Sequence, residues 1–118
     1  MRKGINPRWQ NANLRRKYQA RFRAMDAPCG ICHGLLGRIH YEEPSDPAHP
    51  LSFVIDEIIP ISRYKEGGFD SPREAAEAWT NLQAAHRCCN AWKKDRINFR
   101  INIAAVRKIQ KDELDGDW

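Results

Sequence analysis

Two pairs of metal-ligand residues with the same spacing constrain this chain more than any other feature. Cys29 and Cys32 form a Cys-x-x-Cys pair, and His86 and Cys89 repeat the two-residue spacing later in the chain. Each pair can reach one ion from a tight turn, and three cysteines with one histidine are a common ligand set of structural zinc. A chain of 118 residues buries only a modest core, so a metal would add needed stability. The sequence therefore predicts a structural zinc site that joins the two pairs.

Cys88 is the competing ligand, because it is adjacent to Cys89. Pairing it with His86 leaves a single intervening residue, which fits a zinc knuckle less well, so we expect Cys88 to be a buried or partly buried free thiol. The alternative is that the cysteines are ordinary core residues. We expect no secretory signal and no membrane span, and hence a cytoplasmic location. A reducing compartment favours metal binding over disulfides.

The charge is distributed unevenly along the chain. The net charge of +5 combines a basic start, an acidic middle and a basic end. Residues 1–28 carry eight basic and one acidic residue, residues 29–79 four and nine, and residues 80–118 eight and five, giving +7, −5 and +3. Basic flanks favour a phosphate backbone as partner. The acidic middle of a phosphate-binding protein suggests a divalent cation.

Helical periodicity and turn residues predict the elements. An apolar stripe of Leu14, Tyr18 and Phe22 predicts a basic amphipathic helix over residues 11–25. We expect two short strands around a proline-rich loop within residues 36–55, with residues 51–55 as the second strand. The capping residues Ser71, Pro72 and Glu74 predict a helix to about residue 79. Residues 81–90 are expected to form a loop before a short helix to about residue 95, and residues 97–113 a final helix.

Between and beyond the two ligand pairs the motifs occur in a recognisable order. They are Asp56-Glu57-Ile58-Ile59-Pro60, then Asn81-Leu82, then His86-x-x-Cys89-Asn90-x-x-Lys93. With Cys29-x-x-Cys32 before them, these motifs resemble the HNH endonuclease family, particularly the small zinc-knuckle proteins of bacteriophages. The resemblance covers roughly residues 29–95.

The resemblance implies an α+β ββα-metal fold over residues 29–96, with a basic helical arm (1–28) before it and a helix and tail (97–118) after it. It makes Asp56 and Asn90 ligands of a catalytic Mg²⁺ or Mn²⁺, with Ni²⁺ as a further option. Asn81 would hold the loop in place through backbone hydrogen bonds, and Lys93 would lie near the scissile phosphate. It also suggests double-stranded DNA as substrate, a bacterial host cell, and a setting beside the packaging terminase.

One position departs from the family pattern. The family has a general-base histidine immediately after the strand aspartate, and this chain has Glu57 there. An ordinary glutamate is a weaker base than histidine at neutral pH, although a neighbouring carboxylate raises its pKa and a cation lowers it. Glu57 is thus the base, an additional metal ligand, or the mark of a weakened nuclease. His49 is an alternative base.

The remaining basic and aromatic residues have two readings each. The residues expected to contact DNA phosphates, with solvated surface charge as the alternative, are Arg15, Arg16, Arg21, Arg87, Lys93 and Lys94. Trp79 and Trp92 are expected to pack in the core rather than stack on bases.

Two classes of function follow. The first is a metal-dependent DNA endonuclease or nickase. The second is a zinc-stabilised nucleic-acid-binding module without catalysis, and a zinc-ribbon-like protein-interaction module is more distant. Asp56, Asn81 and Asn90 together favour the nuclease, because a binding module has no use for an aspartate and an asparagine directed at a second metal.

Overall fold

The computed structural model describes residues 6–97 and the single positions 104, 107, 108 and 111. Its main elements are three α-helices and a two-stranded sheet. They are α1 (Ala12–Met25), β1 (Phe53–Glu57), α2 (Pro72–Glu77), β2 (Leu82–His86) and α3 (Arg87–Lys93). The result is a small α+β structure. The helix expected over residues 97–113 lies outside the continuously described part of the chain.

The first helix forms where its apolar stripe predicts. Asn11 caps its start by accepting the backbone N–H of Leu14 at 3.0 Å. Phe22 is buried and stacks on Trp79 with ring centroids 4.6 Å apart, and Tyr18 contacts the same indole at 5.2 Å. The expectation that Trp79 packs in the core is therefore confirmed. Because α1 contributes Phe22 to the same core as the sheet, residues 12–25 are part of the compact structure.

The hairpin differs from the expected strands. β1 begins at Phe53 and ends at Glu57, two residues later than expected. Its partner is β2, which lies within the segment 81–90 that we expected to be a loop. Leu82-Gln83-Ala84-Ala85-His86 contains no β-branched residue, so its propensity for strand is low. Pairing with β1 supplies the hydrogen bonds, and both strands are largely buried. Within residues 36–51 the only pairing is an isolated bridge between His40 and Ser52.

The connection from β1 to β2 contains the capped helix that the sequence predicts. Ser71 Oγ accepts the backbone N–H of Glu74 at 3.1 Å, and Pro72 is the first residue of α2. The helix ends at Glu77 rather than near residue 79, and Trp79–Asn81 form a 3₁₀ turn. A second 3₁₀ segment covers Ile61–Gly67. None of the helices in the described ranges has the length and apolar character to cross a membrane.

The register of the hairpin determines the position of the functional candidates. The strands are antiparallel, with Phe53 opposite His86 and Glu57 opposite Leu82. His86 and Asp56 therefore lie towards opposite ends of the sheet. The helix α3 begins directly after His86 and returns along the sheet, and its seven residues span about 10 Å at ~1.5 Å per residue. Asp56 lies three strand residues beyond Phe53, the partner of His86, which is also about 10 Å at ~3.3 Å per residue. The helix α3 is therefore long enough to run from the His86 end of the sheet to Asp56.

Candidate metal centre and the Asp56 end of the hairpin

The first candidate site is a buried cluster of the four predicted zinc ligands. One ligand atom from each of Cys29, Cys32, His86 and Cys89 lies within 4.8 Å of the others, and all four residues are buried. His86 Nδ1 is 3.4 Å from Cys32 Sγ and 3.7 Å from Cys89 Sγ. The two ligand pairs that the sequence matched by spacing therefore meet in one place. The described residues contain no other such cluster of cysteine, histidine and acidic side chains.

The surroundings of the cluster suit a bound metal ion. His86 Nε2 lies 3.2 Å from the carbonyl oxygen of Arg38. A hydrogen bond from Nε2 to this carbonyl leaves Nδ1 free to coordinate, a common arrangement around metal-binding histidines. The backbone N–H groups of Cys32 and His86 donate to Cys29 Sγ at 3.5 and 3.4 Å. Three sulfur atoms and one imidazole nitrogen form a donor set that fits a divalent metal and is consistent with structural zinc.

The charge of the cluster also favours a cation. Burial alone disfavours a charged imidazole, but the neighbouring Cys29 and Cys32 overcome that effect and raise the pKa of His86 to about 10. The pKa of Cys32 is lowered, first by hydrogen bonding from Cys29 and then from Cys89. A deprotonated thiol and an imidazole that favours a positive charge show that the cluster is suited to a cation, and a bound divalent metal would take the place of the proton on His86.

Cys88 is separate from this cluster, as expected. It is buried with 7% exposure, and its backbone N–H donates to the carbonyl oxygen of Pro50 at 2.9 Å. Because the neighbouring Cys89 is a member of the cluster and Cys88 is not, the two adjacent cysteines have different environments.

The second candidate site is Asp56, near the C-terminal end of β1. The carboxylate is 4% exposed. Its Oδ1 accepts a hydrogen bond from Lys93 Nζ at 3.0 Å, and its Oδ2 accepts one from Gln83 Nε2 at 2.8 Å. Burial raises the pKa of Asp56, and the charge of Lys93 and the Gln83 hydrogen bond oppose that rise. Both oxygens of Asp56 therefore have partners within the chain, an ammonium group for Oδ1 and a side-chain amide for Oδ2.

Gln83 connects this carboxylate to the first ligand pair. The backbone of Gly30 approaches the Gln83 side chain so closely that a Cβ at position 30 would lie 2.1 Å from Oε1. Gly30 also donates its backbone N–H to the carbonyl oxygen of Ala84 at 2.8 Å. A larger residue at position 30 would displace the Gln83 amide that donates to Asp56.

Glu57 is adjacent to Asp56 in sequence but belongs to a different environment. Successive side chains of a strand point to opposite faces of the sheet. Glu57 Oε1 accepts from Arg8 Nε at 3.0 Å and Arg8 Nη2 at 2.7 Å, and Oε2 accepts from Arg15 Nη2 at 3.4 Å. The two carboxylates that we expected at one metal thus have separate partners, Lys93 for Asp56 and two arginines for Glu57.

Asn81 makes the backbone hydrogen bonds that the resemblance led us to expect. Its Oδ1 accepts the N–H of Ile59 at 2.8 Å, and its Nδ2 donates to the carbonyl oxygens of Ile59 at 3.0 Å and Ala75 at 2.9 Å. With 4% exposure, the side chain joins the segment after β1 to α2.

Asn90 lies on α3, three residues before Lys93, and is half-buried. Residues three apart share one face of a helix, so Asn90 is near the face whose Lys93 contacts Asp56. None of the hydrogen bonds recorded within the described ranges uses its side chain.

The predicted DNA contacts divide into internal and exposed residues. Arg15 and Lys93 are buried, and Arg87 Nε donates to Ser52 Oγ at 3.0 Å. Arg15 and Lys93, which we expected to contact DNA phosphates, each form an ion pair with a buried carboxylate of this chain, Glu57 and Asp56 respectively. Arg16, Arg21 and Lys94 are exposed, with the Arg21 guanidinium 3.9 Å above the Trp79 ring.

His49, the alternative base, lies at the other end of β1. Its backbone carbonyl accepts the N–H of Ser52, the residue before the strand. Its Nδ1 accepts the N–H of Leu51 at 3.1 Å, and its ring packs against His40 with centroids 4.5 Å apart. His49 is therefore placed away from Asp56 by the length of the strand.

Ion pairs between segments join three acids of the acidic middle to the basic flanks. Four pairs join acids of the middle segment to basic residues of the flanks: Arg8 and Arg15 with Glu57, Arg23 with Glu43, and Lys93 with Asp56. The acidic middle thus finds partners within the chain itself.

Comparisons of the chain with protein-family models, curated proteins and solved structures find no match.

Proposed function

We propose that this chain is a zinc-stabilised endonuclease domain of the HNH type that hydrolyses DNA phosphodiester bonds. One observation carries the proposal: motif residues that are far apart in sequence, Asp56, Asn81 and Lys93, lie at one end of the hairpin. Asp56 contacts Lys93 of α3 across 37 positions, Asn90 lies one turn earlier on that helix, and Asn81 secures the segment after β1 across 22 positions. A strand, a second strand and a helix in this order support a ββα-metal arrangement.

Each of these residues has a role in the proposal. Asp56 and Asn90 are the residues that would hold a catalytic Mg²⁺ or Mn²⁺, and that cation would neutralise charge on the phosphate and the leaving oxygen. Asn81 keeps the end of β1 in position relative to α2. The Cys29–Cys32–His86–Cys89 cluster would bind structural zinc and hold the start of α3, which fixes the direction in which the helix presents Asn90 and Lys93.

The hydrogen bonds of Glu57 favour a structural role over that of a general base. A base needs a lone pair directed at the attacking water, and both oxygens of Glu57 accept from guanidinium groups. Its side chain is only 5% exposed. We therefore assign Glu57 to the docking of Arg8 and α1 against the sheet.

DNA binding in the proposal depends on the exposed basic residues. Arg16 and Lys94 are exposed and contact phosphates without reading bases. Binding of this kind is sequence-independent and weakens as salt rises.

The test is a nicking assay on supercoiled plasmid with Mg²⁺, Mn²⁺ or Ni²⁺ and an EDTA control. Asp56→Asn keeps the shape of the side chain but loses its charge and one of its two accepting oxygens, and we expect it to reduce nicking by about 10²-fold or more. Asp70→Ala removes an exposed acid and should leave nicking unchanged. Equal nicking by wild type and Asp56→Asn contradicts the proposal.

Glu57→His tests the assignment of Glu57 separately. If Glu57 only docks the arm, the histidine variant gains no activity and loses stability, because Arg15 remains buried without its partner. A rate that stays equal or rises, with a pH dependence shifted towards neutral, would instead make this position the base.

A nucleic-acid-binding module without catalysis is the second candidate. The observation that favours it is that Asp56 and Glu57 are both neutralised by the chain's own cations. A gel-shift assay on the same plasmid fragments separates the candidates: binding that weakens with salt, combined with no nicking under any metal, supports the second.

A further inference from the structure

Lys93 is a buried lysine whose ammonium group lies where two oxygens converge. It is 1% exposed, and Nζ donates to Asp56 Oδ1 at 3.0 Å and to the backbone carbonyl oxygen of Glu57 at 2.6 Å. Carboxylate and carbonyl oxygens are also the ligands that hard divalent cations prefer. The side chain therefore presents a positive charge at a position with the chemistry of a cation site.

Each oxygen of Asp56 has a hydrogen-bond partner without a metal. Oδ1 is taken by Lys93, and Oδ2 accepts from Gln83 Nε2 at 2.8 Å. A divalent cation bound to this carboxylate would lie within a few ångströms of the ammonium group, and in a buried site like charges so close repel strongly. The carboxylate thus has room for one cationic partner at a time.

We infer that Lys93 is a built-in occupant of the cation position at Asp56, so that the ammonium group and a divalent cation exclude each other there. The inference rests on the proposed function, since it concerns the cation that the nuclease would use. Lys93 is the last residue of α3, and Lys94 after it has a positive φ of 55° that ends the helix. A long side chain at a helix end can leave the carboxylate by rotating about its own bonds, with the strand and the zinc cluster in place.

A titration of the zinc-loaded full chain with Mn²⁺ tests the competition between Lys93 and the cation directly. Electron paramagnetic resonance measures the free Mn²⁺, and the bound fraction follows by difference. We expect Lys93→Met to bind Mn²⁺ at least about tenfold more tightly than wild type, because the competing charge is gone. The double variant Asp56→Asn with Lys93→Met lacks the carboxylate as well and should lose that gain. A folded Lys93→Met variant that binds Mn²⁺ no better than wild type overturns the inference.

A second measurement needs no substitution and covers the case in which Lys93→Met does not fold. Wild type is acetylated briefly with and without Mn²⁺, and labelling at each lysine is read by mass spectrometry. The neighbouring Lys94, which is exposed, serves as the internal reference. We expect Lys93 to be protected without metal and its labelling to rise several-fold with Mn²⁺ occupancy. Mn²⁺ binding with Lys93 still protected, or no Mn²⁺ binding by wild type at any concentration tested, overturns the inference.

The nicking assay distinguishes failure of this inference from failure of the proposed function. Suppose that wild type and Lys93→Met nick plasmid with the same dependence on metal concentration and that Asp56→Asn does not nick. The inferred competition between Lys93 and the cation is then wrong, and the proposed nuclease function is supported. If neither wild type nor Lys93→Met nicks DNA, the proposed nuclease function is wrong, whatever the Mn²⁺ measurements show.

Discussion

The two ends of the β1–β2 hairpin are held together by different kinds of interaction. At the His86 end, two pairs of candidate metal ligands meet in one cluster, each pair formed by a local turn and the two pairs lying 54 positions apart in sequence. At the Asp56 end, a carboxylate is neutralised by a lysine from another element. The first end has the donor set for an external ion, whereas the carboxylate of the second end is paired with the chain's own cation. The difference shows how two sites on one small sheet can have separate sources of stability.

The two ends are also physically connected. The helix α3 starts beside the cluster and ends at Lys93, and Gln83 links the backbone of Gly30 to Asp56. A change at the cluster therefore reaches Asp56 by two routes. In the opposite direction, the Asp56–Lys93 pair contributes nothing to the ligand set of the cluster.

The largest expected effect is the loss of metal at the His86 end. Cys89→Ser removes a ligand, and structural zinc contributes on the order of ~10 kcal/mol to folding in small zinc domains. We expect this variant to lose its cooperative thermal unfolding transition and its bound zinc. Circular dichroism and metal analysis provide the measurements, with one zinc per wild-type chain expected.

Cys88→Ser is the matched control, because it makes the same chemical change one residue away at a thiol outside the cluster. It should keep one zinc per chain and fold cooperatively. If the two variants behave alike, the ligand set assigned to the cluster is wrong.

The second effect concerns the Asp56 end. Lys93→Met leaves a buried carboxylate without its partner, and breaking a buried ion pair from one side typically costs ~3–5 kcal/mol. Urea unfolding should show this loss, with zinc content unchanged. Adding Asp56→Asn removes the unpaired charge and should restore about half of the loss or more. Zinc loss from Lys93→Met would show that the two ends are not separate.

A smaller effect on the free energy of unfolding is expected from removing the side chain of Asn81, which holds the segment after β1 against α2. Asn81→Ala leaves the buried backbone groups of Ile59 and Ala75 without three hydrogen bonds, at a cost of ~2–3 kcal/mol. Asn13→Ala removes an exposed asparagine from α1 and should change the free energy of unfolding by no more than ~0.5 kcal/mol. Equal losses in the two variants would contradict the role of Asn81.

The smallest effect is a titration at the His86 end. Tyr41 donates its hydroxyl hydrogen to the carbonyl oxygen of Ala27 at 2.6 Å, two residues before Cys29, and burial raises the pKa of Tyr41 to about 12. The folded state thus favours the neutral phenol, so this contribution to stability is present below pH ~10 and is lost as pH rises towards 12. Ultraviolet titration of wild type should contain a late step that is missing in Tyr41→Phe. A late step that survives the substitution would assign it to another tyrosine.

The elements that local patterns describe were predictable. The α1 stripe and the Ser71-Pro72 cap occupy a few consecutive residues, and the hydrogen bonds that define them lie within the same segment. The strand β2 was not predictable from its composition, because Ala84 and Ala85 have little preference for strand. Its hydrogen bonds are with β1, more than twenty residues away in sequence.

The residues of the candidate sites also divide into those that local sequence patterns predicted and those whose partners depend on tertiary packing. The paired spacing of Cys29, Cys32, His86 and Cys89 identified the cluster, since each half of it is one turn of chain. The sequence pattern led us to expect Asp56 and Glu57 at one metal and Arg15 and Lys93 in contact with DNA phosphates. Adjacent strand residues point to opposite faces, and which cation meets each carboxylate depends on how α1 and α3 pack on the sheet.

By itself, then, the sequence determined the ligand set of the metal cluster, the order of the motifs and the helices with their caps, because these depend on residues close together in the chain. Only the tertiary structure decided that Lys93 neutralises Asp56, that Arg8 and Arg15 bind Glu57, and that both acids are buried. Such pairings follow from strand register and helix packing, and the free energy of a charge depends on how far it is removed from water. A sequence specifies the charge of a side chain, and the fold determines its partner.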